Sequence, residues 1–194
     1  MTTDCKALSS FLSALDYYIV PDLVRLRREV RPRGRGAKEG CTIPTVLFAF
    51  SILDLLGFLM RPPPACKEQS EKNIRFACSA DARLFPAEYD RISEALVLLF
   101  RHGLTHQIFP KASGVSKPAN TRLLIFFLDG PVPILNADRF VDDLVEAIQK
   151  FKSAAAGQAS PLAKQMNDRL RGLQKADEAQ LREMRQKGLV TPPK

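Results

Sequence analysis

The chain has 194 residues, 45% hydrophobic and 26% charged, with 10 Gly and 14 Pro, a balance that excludes collagen-like, low-complexity and wholly disordered classes and predicts one substantial core. Lys and Arg number 29 against 21 Asp and Glu, a formal net charge of +8 that favours polyanionic partners without naming one. The four cysteines, Cys5, Cys41, Cys66 and Cys78, form no C-x-x-C pair, which argues against a zinc ribbon or dithiol redox centre and predicts reduced thiols.

The start MTTDCK carries Asp4 and no apolar run behind a basic stretch, so no secretory signal is visible and a cytoplasmic protein is expected. From Leu8 the apolar residues Phe11, Leu12, Leu15, Tyr18, Ile19, Leu23 and Leu26 recur with helical rhythm, and Pro21 is placed to kink or divide that helix. Residues 31–40, RPRGRGAKEG, read as a loop. A helix over 42–60 follows, with Thr42 as N-cap and Pro44 tolerated in the first turn. Its run Ile43 to Met60 has the length of a short membrane span, but it carries Thr45, Ser51 and Asp54, and a buried core helix is the expectation. RPPPACKE, residues 61–68, ends it.

Residues 69–78 suggest a short helix, and Pro86 opens a stronger one to about Gly103. Its face is Tyr89, Ile92, Leu96, Leu99 and Phe100, widened by Val97 and Leu98. PKASGVSKPAN, residues 110–120, is a loop, and Leu123 to Leu128 reads as a buried strand ending in an Asp129-Gly130 turn. Val132 to Leu135 could return antiparallel, with Pro131 and Pro133 confining it to an edge. Asn136 caps a helix from Ala137 to about Lys152, with core face Phe140, Leu144, Ala147, Ile148 and Phe151. Asp138, Asp142 and Asp143 near its start suit the helix dipole. Residues 153–160 read as a linker, and Ser160-Pro161 opens a last helix whose stripe Leu162, Met166, Leu170 and Leu173 thins after Gly172, giving an arm or tail.

Both histidines lie in Arg101-His102-Gly103-Leu104-Thr105-His106, at the end of the amphipathic helix. A fork-shaped guanidinium suits phosphate oxygens, and imidazole moves protons near neutral pH. The stretch resembles the R-x(4–6)-H motif of the HEPN superfamily (higher eukaryotes and prokaryotes nucleotide-binding), with a polar residue directly after the Arg. The resemblance is specific over 101–106 and extends as architecture over about 5–152. It implies a mainly α, HEPN-like helical bundle with a small antiparallel β insertion and a C-terminal helical arm. Residues 1–152 would be that domain, with the insertion near 107–135, then the linker 153–160, then the helix and tail 161–194. It further implies a metal-independent endoribonuclease without cofactor, working as a homodimer whose two motifs line one cleft. By resemblance, Arg101 stabilises phosphoryl charge, His106 moves the proton, and His102 orients or shares it. Other members of the superfamily lack activity and bind nucleotides or a protein partner, so a non-catalytic interaction module is the alternative.

The same residues admit plainer readings. Cations at a helix C-terminus are favoured by the dipole whether or not they do chemistry. His102 and His106, four residues apart, could share a metal, but no third ligand or H-E-x-x-H pattern accompanies them. On a regular helix Arg101 and His106 lie about 140° apart, so convergence asks for a loosened turn, for which Gly103 is the candidate.

Arg25, Arg27, Arg28, Arg31, Arg33, Arg35 and Lys38 put seven cations in 14 residues, a candidate grip on RNA phosphates or simply a solvated helix end and loop. Lys111, with Lys117 and Arg122, could extend it. Asp54 in the apolar helix needs a partner if buried, with Arg101 one candidate and an exposed helix edge the other. GRGAKEG, residues 34–40, lacks the G-K-[ST] ending of a P-loop.

Overall fold

The computed structural model describes residues 5–28, 42–64, 67, 69–107, 113–116, 122–126, 132–156 and 160–189. The loop expected at 31–40, the Asp129-Gly130 turn and most of the 110–120 loop lie outside them. The fold is mainly α-helical with one small sheet, as the periodicity predicts.

Helix α1 (Lys6–Ala14), a π-helical turn (Leu15–Ile19) and α2 (Val20–Arg28) form one continuous rod. Pro21 reshapes this rod and does not divide it. It has no N–H to give to the Tyr17 carbonyl, and the Val20 N–H reaches back five residues to the Leu15 oxygen. The extra residue sets the register downstream. Leu15 and Leu23 would sit about 80° apart on a regular α-helix, and with one residue absorbed in the wide turn both are fully buried. Tyr18, expected on the apolar face, is turned out: it is 70% exposed, beside Tyr17 at 76%.

Helix α3 (Thr42–Met60) is apolar on every side, the pattern of a helix surrounded by others, and it packs against α2, α4 (Ser70–Cys78), α7 (Ala137–Ala155) and α8 (Pro161–Gln186). Thr42, expected as its cap, is instead the first helical residue and buried, and its hydroxyl has no hydrogen-bond partner among the described residues. Among those residues α3 alone is long and apolar enough to cross a membrane, with mean hydropathy 2.1 over a window that is 56% buried by the rest of the fold. Helix α4 crosses α3 at Gly57, where an added Cβ would stand 1.9 Å from the Asn73 carbonyl oxygen. One turn earlier Asp54 accepts a hydrogen bond from Asn73 Nδ2 at 3.0 Å, so its partner is an amide on α4.

The second rod is α5 (Glu88–Ala95), a π-helical turn (Leu96–Arg101) and α6 (His102–Gln107), ending four residues beyond the expected Gly103. Tyr89, Leu96, Val97, Phe100 and Leu104 are buried. Leu98, expected to widen the stripe, is 41% exposed because the π-turn rotates it outward. Aromatic contacts tie this rod to the centre: Tyr89 stacks on Phe140 at 6.4 Å, and Phe140 meets Phe50 at 5.0 Å.

The sheet has the order β1 (Gly114–Ser116), β3 (Pro133–Asn136), β2 (Leu124–Phe126). β2 and β3 pair antiparallel, Leu124 opposite Leu135, as expected for a returning strand. β1 adds a parallel pairing, Val115 opposite Leu135. β3 is therefore central, contrary to the edge position expected from its prolines. Pro133 is tolerated there because it is the first strand residue, opposite Phe126, where a missing donor interrupts the least. Asn136 closes β3 and caps α7 as expected, its side chain accepting from the Arg139 N–H at 3.2 Å and donating to the Arg122 carbonyl at 3.1 Å. The expected core face of α7 is fully buried.

Ser160 caps α8, accepting from the Ala163 N–H at 3.0 Å. Ala163, Met166, Asn167 and Leu170 are buried against the body, whereas from Gln174 onward every described residue is exposed. Gln165 Nε2 donates to the carbonyls of Leu59, Met60 and Arg61 at 3.1, 3.3 and 3.3 Å. Arg169 donates to Phe58, Leu59 and Arg61 carbonyls and lies over the Phe58 ring at 5.3 Å. These donors satisfy carbonyls that the end of α3 leaves without intrahelical partners.

Candidate functional site

The candidate motif occupies the end of the second rod. Arg101 is the last residue of its π-turn and His102 the first of α6, and both are half-buried. Phe100 and Leu104, four residues apart, are both buried and fasten this end of the rod to the core, leaving Arg101 and His102 at its rim. Gly103 sits inside the helix and is buried. The wide turn thus ends at Arg101, and Gly103 does not open the helix between the two candidate residues. With 102–107 helical, backbone positions 101 and 106 stand about 140° apart around the axis, and positions 102 and 106 share a face. His106 belongs to α6, and its side chain lies outside the described residues.

The basic run divides. Arg25 is exposed on α2. Arg27 pairs with Asp138 at 3.4 Å and with Asp142, on the first turns of α7. It therefore joins two helices, and Asp138 and Asp142 already occupy its fork. Arg28 ends α2, and its side chain, together with Arg31, Arg33, Arg35, Lys38, Lys111 and Lys117, lies outside the described residues. Arg122 is exposed beside the sheet.

One polar group that periodicity alone misplaces is Asp143. Expected to serve the helix dipole, it is 6% exposed and accepts from the hydroxyl of fully buried Tyr89 at 2.8 Å and from Arg139 Nε at 2.7 Å. Arg139 also reaches Glu88 at 3.4 Å. Burial, and then the Asp143 carboxylate, push the Tyr89 hydroxyl far above its ordinary range, and the bond to Asp143 raises Arg139 further. The phenol therefore stays protonated and donating, and the cluster fixes α5 to α7 upstream of the motif. Its signal in the sequence was Arg139 four residues before Asp143, a helical ion pair, although nothing there marked it as buried.

Cys78 is buried on α4, and burial, with Asp90 adding, pushes its thiol up to about 12. It is an inert core group. Among the described residues no three His, Cys, Asp or Glu side chains gather as a metal site. No family model, curated protein or solved structure matches the chain.

Proposed function

We propose that this chain is an RNA-cleaving or RNA-binding protein of HEPN type, acting as a homodimer at a cleft lined by Arg101, His102 and His106. The observation that carries the reading is the sequence Arg101-His102-Gly103-Leu104-Thr105-His106 at the end of a core-anchored helical rod, with Arg101 and His102 half-buried at its rim. The net charge of +8 suits a polyanion, and the helical body is compatible with it. The 140° between positions 101 and 106 favours two motif helices facing one another, so that one phosphate meets the arginine of one copy and the histidine of the other.

In this reading the RNA 2′-oxygen attacks the adjacent phosphorus in line. The new 2′-O–P bond forms as the P–O5′ bond breaks, leaving a 2′,3′-cyclic phosphate and a 5′-hydroxyl. His106 takes the 2′-proton or returns one to the leaving oxygen, Arg101 stabilises the developing phosphoryl charge, and His102 orients or shares the proton. DNA lacks the nucleophile and survives.

The test is cleavage of end-labelled single-stranded RNA in EDTA by wild type and His106→Ala, with product ends identified. Cyclic-phosphate ends made only by wild type support the assignment, and undiminished cleavage by His106→Ala sinks it. Absence of cleavage by both leaves the non-catalytic module ahead. The exposed second half of α8, with Leu181 and Met184 uncovered among charges, favours that module as a surface for a protein partner.

A further inference from the structure

We propose that Tyr17 and Tyr18 form a stacking platform for the bases of single-stranded RNA, with Arg25 taking a phosphate of the same strand. The inference rests on the RNA reading above and adds a second contact surface on the first rod, separate from the motif.

The two rings are the most exposed aromatic side chains among the described residues, and they are exposed by construction. The missing Pro21 N–H imposes the π-turn, and that turn swings position 18 off the apolar face while keeping Leu15 and Leu23 inside. Arg25 follows about two turns later. Allowing for the extra residue of the wide turn, it falls within roughly 30° of Tyr17 around the rod.

The chain's net charge of +8 favours RNA over an apolar partner. Arg25 begins the basic run, and Asp16 beside the tyrosines is already held by Lys152 at 2.6 Å. Further along the same rod, Asp22, Arg25 and Leu26, with Phe48 of α3, line a hollow of about 330 Å³. It offers an apolar floor for a base, a cation at its rim, and a carboxylate acceptor for an exocyclic amino group. Aromatic stacking tolerates any base, and a cation beside the stack can meet the strand's backbone.

The chain contains no Trp and three Tyr, and the third, Tyr89, is buried. In the wild type, a change of tyrosine emission on adding a ligand therefore reports on Tyr17 and Tyr18. The probe is a 2′-O-methyl oligoadenylate of about 12 nucleotides, which spans an ordinary single-strand site and cannot be cut because the nucleophile is blocked. Binding is read in wild type and in every variant by the fluorescence anisotropy of an end-labelled form of this probe, and wild type is expected to bind it, with quenching of tyrosine emission beside it. Tyr17→Ala/Tyr18→Ala is expected to bind at least about tenfold more weakly, Tyr17→Phe/Tyr18→Phe within about twofold, and Tyr17→Leu/Tyr18→Leu like the alanine pair. Circular dichroism confirms that each variant folds.

If the alanine pair binds as wild type does, the platform is wrong. Equal binding by the leucine and phenylalanine pairs would mean plain apolar contact and also overturns it, as does a loss of self-association at unchanged RNA affinity, which identifies a protein-docking face. Cleavage of ordinary RNA without binding of this probe overturns the platform and spares the RNA reading, whereas neither binding nor cleavage overturns both.

Discussion

Asn167, buried in α8, accepts a hydrogen bond at 3.1 Å from the backbone N–H of Leu8 in the first turn of α1. Cys5, the residue in the N-cap position, makes no side-chain capping bond, so α8 supplies from 159 residues away what a local Ser or Asp ordinarily supplies. Gln165 and Arg169 meanwhile donate to the carbonyls that end α3. One helix thus satisfies orphan groups of opposite polarity at two other helix ends. Asn167→Ala removes an acceptor from a buried donor and is expected to cost about 1–2 kcal/mol, lowering Tm by several degrees in thermal unfolding. Asp168→Ala, exposed one position on, is the control and should stay within about 0.5 kcal/mol of wild type. Equal effects from the two would show that the cap contributes nothing specific.

Two glycines in helices should respond in opposite directions to the same methyl group. At Gly57 a Cβ would lie 1.9 Å from backbone of α4, so Gly57→Ala must force α3 and α4 apart. The expected cost is about 1–3 kcal/mol or more. At Gly172 nothing stands within 4 Å of the added atom, and Gly172→Ala should stabilise by about 0.5–1 kcal/mol through helix propensity alone. Urea unfolding of both variants reads the sign. A stabilised Gly57→Ala would mean that the crossing is looser than these distances describe.

Much of the helical framework was legible because its causes are local. Periodicity placed the helices, Asn136 and Ser160 declared their caps, and the apolar run 43–60 announced a buried centre. What was not legible depends on register or on partners far away in sequence. The π-turns at 15–19 and 96–101 move Tyr18 and Leu98 from the core to solvent, and a 3.6-residue template has no place for the extra residue. Asp143 and Asn167 read as ordinary polar positions because Tyr89 and Leu8, which explain them, lie 54 and 159 residues away. Pro133 suggested an edge strand, yet strands of three or four residues let a proline open the central one. For the candidate site, the sequence named Arg101, His102 and His106, and the fold adds that Arg101 closes a π-turn at the rim of the body.

The alkaline limb of stability follows from Cys78. Its thiol titrates near 9.0 when unfolded and at about 12 when folded, through burial first and Asp90 second. The folded chain therefore keeps a proton that the unfolded chain releases, so this contribution is complete below pH 9 and is lost as pH rises toward 12. Tyr89, also raised by burial and by Asp143, steepens the loss. Cys78→Ala should flatten the fall in chemical stability between pH 9 and 12 relative to wild type. Below pH 9 the variant's cost should be constant. An unchanged slope would place the origin of alkaline unfolding elsewhere.

Arg27 and the arginines that follow it should behave differently although the sequence presents them as one run. Arg27 bridges α2 to Asp138 and Asp142 on α7, and these partners are partly solvent-exposed, so Arg27→Gln is expected to cost no more than about 1 kcal/mol of stability and to leave RNA affinity nearly unchanged. Arg31, Arg33 and Arg35 belong to the run that reads in the sequence as a candidate grip on RNA phosphates. Replacing all three with Gln should weaken RNA binding and reduce the slope of log K against log salt by about 2, at roughly 0.7 per single-strand phosphate contact. Binding titrations at several salt concentrations separate the two effects, because a stability loss shifts the folded fraction without changing that slope. A slope reduced by Arg27→Gln and untouched by the triple variant would reverse the assignment, making the helix end the phosphate contact and the following arginines bystanders.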